Sequence, residues 1–261
     1  MGRHATGKQF GEFFERGHKD ARHAGERGAV TAVYAHRGYT VGYAENTLEA
    51  FAEAKRLGAD GVELDVRLTA DGALAVHHDP VIAGLGPVAG LTVSDLPAHV
   101  PLLADALTVC DGLVVDVEIK NDPAQPGYDP GESVAALTAA AVAEAGWTER
   151  VIVSSFQAST LRAAQVADGR LRLGALWSVF ADADAAVDLA VEEGWYAVHP
   201  FVTAVSPALV ERAHGAGLAV NVWTVNSPRD LAALVELGVD GVITDLLDNA
   251  LSIARSGGSA G

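Results

Sequence analysis

The sequence predicts an α/β protein built as a (β/α)8 TIM barrel, with a short β-hairpin extension after its second strand. From residue 31 onward, short apolar runs alternate with Ala-rich stretches of helical spacing, and each kind occurs eight times. Eight strands alternating with eight helices is the count of such a barrel. The length of 261 residues also suits a single barrel domain. A doubly wound open sheet is the alternative, but no Gly-rich nucleotide loop follows the first strand to support it.

The elements of the barrel are predicted from these runs and from the Gly-containing turns between them. The predicted strands are residues 32–36, 61–66, 113–119, 151–155, 171–177, 197–200, 219–225 and 241–244. The predicted helices are residues 46–57, 102–109, 132–145, 158–166, 183–192, 207–216, 228–237 and 246–254. Residues 73–78 are predicted as an extra strand, the second arm of the hairpin.

The chain is predicted to have an N-terminal extension (1–30), the barrel (31–255) and a C-terminal tail (256–261). The extension is rich in Gly, His and charge, unlike the residues that follow. Phe10, Phe13 and Phe14 have helical spacing within it. They either pack a short helix against the barrel or belong to a partly ordered tail.

Composition and charge exclude several classes of protein. The formal net charge of −16 excludes nucleic acid and anionic membranes as partners, since phosphate-rich partners need a basic surface. No apolar run has the length of a membrane span, and the N-terminus lacks the apolar segment of a signal peptide. We therefore expect a soluble, cytoplasmic protein, whose oligomeric state the sequence does not predict. The single cysteine, Cys110, is expected to be a small buried apolar side chain.

The motif Glu63-Leu64-Asp65 carries two carboxylates to one side of a predicted strand. Residues two apart on a strand point the same way, so both carboxylates can contact one cation. Asp71-Gly72 is a hairpin signal. A hairpin folded about residues 70 and 71 places His78 opposite Glu63, while His77 is expected to point away.

Polar or aromatic side chains stand at or near the ends of most predicted strands, where barrel enzymes carry their chemistry. These residues are His36, Glu63, Asp65, Glu118, Lys120, Ser154, Trp177, His199 and Trp223. Glu63, Asp65 and Glu118 form an oxygen-rich set of the kind that Mg²⁺ or Ca²⁺ prefers. The alternative for Glu118 is an ion pair with Lys120, which lies on the same face of its strand.

Short motifs follow one another in a fixed order along the predicted barrel. They are His36-Arg-Gly, Glu45-Asn-Thr, Glu63-x-Asp65, Asp71-Gly, His78-Asp, Glu118-Ile-Lys, Trp223-Thr-Val-Asn and Asp240-Gly-Val-Ile-Thr-Asp245. In order and spacing the chain resembles the glycerophosphodiester phosphodiesterase family, a group of PI-PLC-like TIM barrel phosphodiesterases, over residues 31–250. The resemblance implies an enzyme that releases sn-glycerol 3-phosphate and an alcohol from small glycerophosphodiesters. It also implies dependence on a divalent cation, Mg²⁺ or Ca²⁺.

With a phosphodiester as substrate, the candidate residues take definite roles. Glu63, Asp65 and Glu118 are expected to hold the cation. His36 and His78 are expected to be the catalytic acid–base pair, because an unperturbed imidazole titrates near pH ~6.5. The sequence does not decide which histidine is the acid. Nor does it decide whether water attacks the phosphorus or a glycerol hydroxyl attacks and forms a cyclic phosphate.

Further residues are expected to bind the substrate or to shape the pocket. Arg37 and Lys120 are expected to neutralise the phosphate, since an arginine fork suits phosphate oxygens. Trp223 gives the alcohol an apolar wall or packs structurally. Asn46 is expected to cap the helix that starts there rather than to orient ligands. Other residues expected at the mouth are Ser154, Phe156 and His199.

Two other functions remain open at this stage. One is a lysophospholipase D or a relative that forms a cyclic phosphate. The other is a catalytically silent barrel that binds phosphorylated ligands, although such a binder has no use for a histidine pair. Residues 79–101 lack the Leu-Asp-Arg-Thr-Thr pattern that often follows His-Asp in the family. This departure affects the expected substrate more than the expected reaction.

Overall fold

A parallel sheet that closes on itself forms the centre of the fold. The computed structural model describes residues 30–178 and 182–257. Its strands are β1 (Ala32–His36), β2 (Gly61–Leu68), β3 (Leu74–Val76), β4 (Val81–Ile82), β5 (Gly86–Pro87), β6 (Val114–Ile119), β7 (Val151–Ser155), β8 (Arg172–Trp177), β9 (Ala197–Pro200), β10 (Ala219–Val222) and β11 (Gly241–Thr244). The barrel strands run β1, β2 and β6 to β11, and β11 pairs with β1 to complete the ring.

Eight helices in the described ranges surround the barrel. They are α1 (Leu48–Leu57), α2 (Leu103–Val109), α3 (Ser133–Glu144), α4 (Ala158–Ala167), α5 (Ala183–Glu193), α6 (Pro207–Gly215), α7 (Pro228–Leu237) and α8 (Leu247–Gly257). The predicted (β/α)8 barrel is thus confirmed. None of the helices in these ranges is long and apolar enough to cross a membrane.

Local sequence signals explain where several helices begin and end. Thr47 caps α1 by accepting the backbone N–H of Ala50, and Gly58 ends the helix at φ +86. Helices α6 and α7 each start with a serine cap followed by proline in the first turn. Proline fits there because its missing N–H has no intrahelical partner in the first turn.

The apolar core lies between the sheet and the helices. Val33, Val62, Val115 and Val198 point outward from four strands and are fully buried. Cys110 is a free, buried cysteine, as expected, and burial raises the pKa of its thiol to about 12. This side chain therefore packs as a small apolar group at neutral pH.

A polar layer fills the barrel interior below the mouth. His199 is fully buried there, with its Nδ1 atom 3.2 Å from Asp116 Oδ2 and its Nε2 atom 3.0 Å from Asn221 Nδ2. Ser154 Oγ donates to Asp116 Oδ1 over 2.7 Å. The prediction that Ser154 and His199 line the mouth is therefore wrong, because both side chains point into the closed interior.

Glycines make room for the large side chains of this layer. A Cβ atom on Gly61 would lie 2.5 Å from the Tyr34 ring, and one on Gly174 would lie 2.6 Å from His199. A Cβ atom on Gly241 would meet Asn221 at 2.5 Å. The strands can thus close tightly around a packed interior rather than a pore.

The hairpin after β2 has a different turn from the predicted one. Val66 pairs with Val76, and the loop between Thr69 and Ala73 contains Gly72 at φ +81. A glycine in this conformation is typical of a three-residue loop, which shifts the register by one residue. The predicted turn about residues 70 and 71 is therefore wrong, the pairing is shifted by one residue from the one that places His78 opposite Glu63, and the backbone N–H of His77 donates to the carbonyl of Asp65.

Other differences from the predicted elements are small. Strand β2 continues to Leu68 because it also pairs with β3, whereas β10 ends at Val222 rather than at residue 225. Helix α8 continues to Gly257 instead of ending at residue 254. The helix expected around Phe10 and Phe14 lies outside the described residues, as does most of the predicted tail.

Candidate active site

Three buried carboxylates meet at the C-terminal mouth of the barrel. Glu63 and Asp65 alternate inward on β2, and Glu118 lies beside Asp65 in the parallel register of β6. One oxygen of each carboxylate lies within 4.8 Å of the others. The predicted cluster is therefore present as a compact group of oxygen ligands.

Lys120 joins this cluster from the end of β6. Its Nζ atom lies 2.6 Å from Glu118 Oε1 and 3.0 Å from Asp65 Oδ1. Burial alone would lower the pKa of Lys120, but Glu118 and Asp65 outweigh it and raise the pKa. The ion pair considered as an alternative to a metal ligand thus exists alongside the carboxylate cluster.

Glu63 leaves one oxygen atom of the cluster unused. Burial, followed by the charges of Asp65 and Glu118, raises the pKa of Glu63 well above its ordinary range. Glu63 Oε1 is buried without a hydrogen-bond partner, whereas Asp65 Oδ1 and Glu118 Oε1 are paired with the ammonium group of Lys120. Unpartnered buried carboxylate oxygens are costly unless a cation meets them. The donor set therefore fits a hard divalent cation.

Asn46 holds Asp65 in place. Its Nδ2 atom donates to Asp65 Oδ2 over 2.8 Å, and the backbone N–H of Asp65 donates to Asn46 Oδ1 over 3.2 Å. Asn46 has φ +56, a conformation that asparagine tolerates better than most residues. Since Thr47 caps helix α1, the expectation that Asn46 is the cap is wrong.

Arg37 stands beside the cluster in a constrained conformation. It has φ +56, and its backbone N–H donates to Glu63 Oε2. Its Nη1 atom donates to both oxygens of Glu45, while its Nε atom lies 3.4 Å from Asp65 Oδ2. The guanidinium therefore borders the carboxylate cluster. Its positive charge would attract a phosphate group placed there.

His36 is held by a residue at the end of the last barrel strand. Its Nδ1 atom lies 2.6 Å from Asp245 Oδ1, and its Nε2 atom lies 3.9 Å from Glu63 Oε2. Asn226 Oδ1 accepts the backbone N–H of Asp245, and Asn226 Nδ2 donates to the Asp245 side chain. Hydrogen bonding from His36 lowers the pKa of Asp245, so this carboxylate is ionised.

His78 has a similar arrangement on the hairpin side. Its Nδ1 atom lies 2.9 Å from Asp79 Oδ1. Burial lowers the pKa of His78 below its ordinary value, against the opposing charge of Asp65. Because carboxylates bind both His36 and His78 at Nδ1, each imidazole has Nε2 left for a substrate. The neighbouring His77 instead contacts the backbone carbonyl of Asp79.

Aromatic side chains form one wall of the mouth. Trp223 packs edge-on against Phe156 and Phe201, with ring centroids 5.4 and 5.1 Å apart respectively. Its Nε1 atom donates to the backbone carbonyl of His199. Phe156 is exposed, and Lys120 Nζ lies 6.0 Å from its ring centroid. Trp223 thus has a packing role and also borders the site.

Sequence reasoning missed the roles of Asp245 and Asn226, and of the two roles considered for Asn46 it preferred the wrong one. The signal for Asp245 was present, since the Thr-Asp pair closes the last motif and ends a predicted strand. Its pairing with His36 depends on barrel closure, which brings the ends of β11 and β1 together.

The fold is that of a barrel enzyme, and two histidines and three carboxylates converge at its C-terminal mouth, where such barrels carry their chemistry. Residues 36–249 match the sequence model of the Glycerophosphoryl diester phosphodiesterase family, and the chain belongs to that family. The family's enzymes are phosphoric diester hydrolases.

Individual relatives agree with this assignment. The chain is 32% identical to the glycerophosphodiester phosphodiesterase of Caldanaerobacter subterraneus, covering 87% of this chain and 99% of the relative. A solved structure from Silicibacter pomeroyi has a TM-score of 0.79 and 26% identity, covering 90% of this chain and 96% of that one. An Oleispira antarctica phosphodiesterase, solved in complex with the product sn-glycerol-3-phosphate, has a TM-score of 0.77 and 22% identity, covering 87% and 97%.

Proposed function

We propose that this protein hydrolyses glycerophosphodiesters to sn-glycerol 3-phosphate and an alcohol, with the help of a divalent cation. The observation that carries the proposal is the arrangement of the mouth. A buried triad of Glu63, Asp65 and Glu118 lies beside two histidines that carboxylates hold at Nδ1. A phosphodiester needs charge neutralisation, an activated nucleophile and a protonated leaving group, and these residues can meet each need.

The carboxylate triad is proposed to hold Mg²⁺ or Ca²⁺. Both ions prefer carboxylate oxygens, and the unpartnered Oε1 atom of Glu63 supports a cation of this kind. When bound, such an ion supplies Lewis-acid charge neutralisation at the phosphate. Asn46 fixes Asp65 for this role through its paired hydrogen bonds.

His36 and His78 are proposed as the acid–base pair. Each imidazole presents Nε2, so a proton can leave the nucleophile at one ring and reach the leaving oxygen from the other. Asp245 orients His36, and Asp79 orients His78, which fixes the tautomer of each neutral ring. Each such group typically contributes about 10²–10⁴-fold to the rate.

Arg37 and Lys120 are proposed to bind the phosphate oxygens. Both cations border the triad, and both keep raised pKa values because of neighbouring carboxylates, despite their burial. Trp223, with Phe156 beside it, is proposed as the wall that the alcohol part of the substrate contacts.

A lysophospholipid is a second candidate substrate, because residues 79–101 expose apolar side chains. Val81, Leu85 and Val93 are exposed on this segment, which follows the hairpin at the mouth. An acyl chain needs apolar surface of this kind close to the site. The reaction would be the same hydrolysis, with a longer substituent on the glycerol.

The proposal is tested by measuring glycerol 3-phosphate released from glycerophosphocholine and glycerophosphoethanolamine. Reactions contain Mg²⁺, Ca²⁺ or excess chelator, and lysophosphatidylcholine is assayed in parallel by the release of lysophosphatidic acid and choline. We expect cation-dependent turnover that His36→Ala and His78→Ala each abolish, whereas His77→Ala serves as the matched control and retains activity. A folded protein that turns over none of these substrates with either cation would contradict the proposal and leave silent ligand binding.

A further inference from the structure

Arg67 is a buried arginine that has no carboxylate partner among residues 30–178 and 182–257. It ends the inward-facing row of β2 and is 6% exposed. Its Nε and Nη2 atoms donate to the backbone carbonyl of His78 over 2.8 and 2.6 Å, and Nη2 also donates to Gln125 Oε1. All these acceptors are neutral. Burial lowers the pKa of Arg67, because Asp65 and Glu118 act on it only from longer range.

A narrow cleft lies against this side chain. It lies between the segment after the hairpin and the loop after β6, has room for about one water molecule in its enclosed part, and otherwise opens to solvent. Arg67 and Lys120 supply its basic groups, and Val88, Ala89 and Gly127 are among its apolar lining residues. A Cβ atom on Gly127 would lie 2.8 Å from the Ala89 Cβ atom, so the two segments touch and partly roof the cleft.

One end of the guanidinium remains available to this cleft. Among the described residues, no hydrogen bond is made by Arg67 Nη1, and this atom is not among the buried polar atoms that lack a partner. Arg67 Nη1 therefore keeps some contact with solvent, and Arg67 is one of the residues that line the cleft. A buried guanidinium is a strong donor to carboxylate or phosphate oxygens, and an anion here would offset its desolvation.

The cleft adjoins the proposed reaction centre through Lys120. This lysine lines the cleft and also contacts Asp65 and Glu118 of the triad. A substrate whose phosphate lies at the triad can thus extend past Lys120 toward Arg67. The group that arrives there meets positive charge from both side chains.

We propose that the Arg67 cleft is a subsite for an anionic group, a carboxylate or a second phosphate, on the leaving alcohol of the substrate. This inference rests on the proposed function and specifies the substrate class within it. It predicts that the enzyme favours head groups with a carboxylate over otherwise identical head groups without one.

Glycerophosphoserine and glycerophosphoethanolamine are the matched substrates for the test, because their head groups differ only by a carboxylate. We expect kcat/KM to be about 10-fold higher for the serine substrate, as one charge-assisted hydrogen bond would give. Arg67→Gln removes the charge but keeps an amide donor toward His78. This variant should bring the ratio of the two kcat/KM values close to one, even if both values fall.

A second variant tests the cleft without changing Arg67. Ala89→Leu fills the cleft from its exposed side and should lower the same ratio. Ala83→Leu, also exposed on that segment but away from the cleft, is the matched control and should leave the ratio unchanged. Equal use of both substrates by the wild type, or a ratio that Ala89→Leu does not change, overturns the inference.

Inhibition by inorganic phosphate distinguishes a substrate subsite from a site that binds a free anion. The phosphate is added as an inhibitor of glycerophosphoethanolamine turnover. Inhibition that Ala89→Leu relieves, without any preference for the serine substrate, would assign the cleft to a free anion and overturn the subsite. Failure of the proposed function is distinguishable, because glycerophosphoethanolamine itself would then not be hydrolysed.

Discussion

Asp245 Oδ1 lies 2.6 Å from His36 Nδ1, so the last strand of the barrel fixes a histidine of the first. These strands are far apart in sequence and adjacent in space only because β11 pairs with β1. Asn226 adds a second layer by binding both the backbone and the side chain of Asp245. The orientation of His36 therefore depends on the pairing of β11 with β1 that closes the barrel.

Asp245→Asn is expected to lower kcat of glycerophosphodiester hydrolysis by about 10²–10⁴-fold, with little change in KM. An asparagine amide can donate a hydrogen bond to Nδ1 and so favour the wrong imidazole tautomer, while the contacts to the phosphate are unchanged. Steady-state kinetics on the purified variant measure this. Asp248→Asn, which removes the exposed partner of Tyr39, is the control and should stay within a fewfold of wild type. An equally large loss in both variants would argue for a general structural defect.

Glu63→Gln is expected to stabilise the metal-free protein while removing its stabilisation by Mg²⁺ or Ca²⁺. The substitution removes the burial penalty and the repulsion from Asp65 and Glu118 that together raise the pKa of Glu63, and it deletes one proposed ligand. Melting temperatures in chelator and in each cation measure this, and for a domain of this size each 1 kcal/mol corresponds to about 2–4 °C. Glu149→Gln, at an exposed side chain, is the control.

The Glu63 carboxyl also makes the stability of the metal-free protein depend on pH. The folded-state pKa of Glu63 lies above its ordinary value of 4.5. At pH values between the ordinary and the raised pKa, the folded state therefore binds more protons than the unfolded state. Stability should therefore fall as the pH rises through the raised pKa, and less steeply in Glu63→Gln. Identical slopes for the two proteins in chelator would contradict a buried, protonated Glu63.

His78 is expected to titrate below the ordinary histidine value of 6.5 and to be mostly neutral at pH 7. Burial penalises the imidazolium, whereas the hydrogen bond to Asp79 partly offsets that penalty. Asp79→Asn should therefore lower the pKa of His78 further. Histidine NMR titration in the metal-free protein measures both values, with resonances assigned by His78→Ala. A rise in this pKa on substitution of Asp79 would reject the assigned cause.

His199→Leu is expected to destabilise the fold by about 3–5 kcal/mol, because it leaves Asp116 buried with only the Ser154 hydroxyl as a partner. Urea unfolding measures the change. His214 makes a similar contact to Asp240 in a partly exposed place. His214→Leu should cost at most about 1 kcal/mol, and equal costs for the two substitutions would show that burial is not the deciding factor.

The sequence was sufficient for features that depend on local periodicity. Alternation along one strand placed Glu63 and Asp65 on the same side, and strand ends located the mouth of the barrel. The roles of Asn46 and Arg37 were less accessible, because both depend on left-handed backbone conformations that composition does not reveal. The hairpin register was wrong by one residue, because Asp-Gly is compatible with more than one loop length.

The packed layer inside the barrel affects how substrate can enter and products can leave. It consists of Tyr34, Asp116, His199 and Asn221. Since these buried side chains fill the barrel interior below the mouth, the proposed reaction would take up its ions and substrate, and release both products, through the mouth. In the proposed reaction, the product that stays bound longer at the carboxylates would block binding of the next substrate. The turnover rate would therefore depend on how fast the products leave the mouth of the barrel.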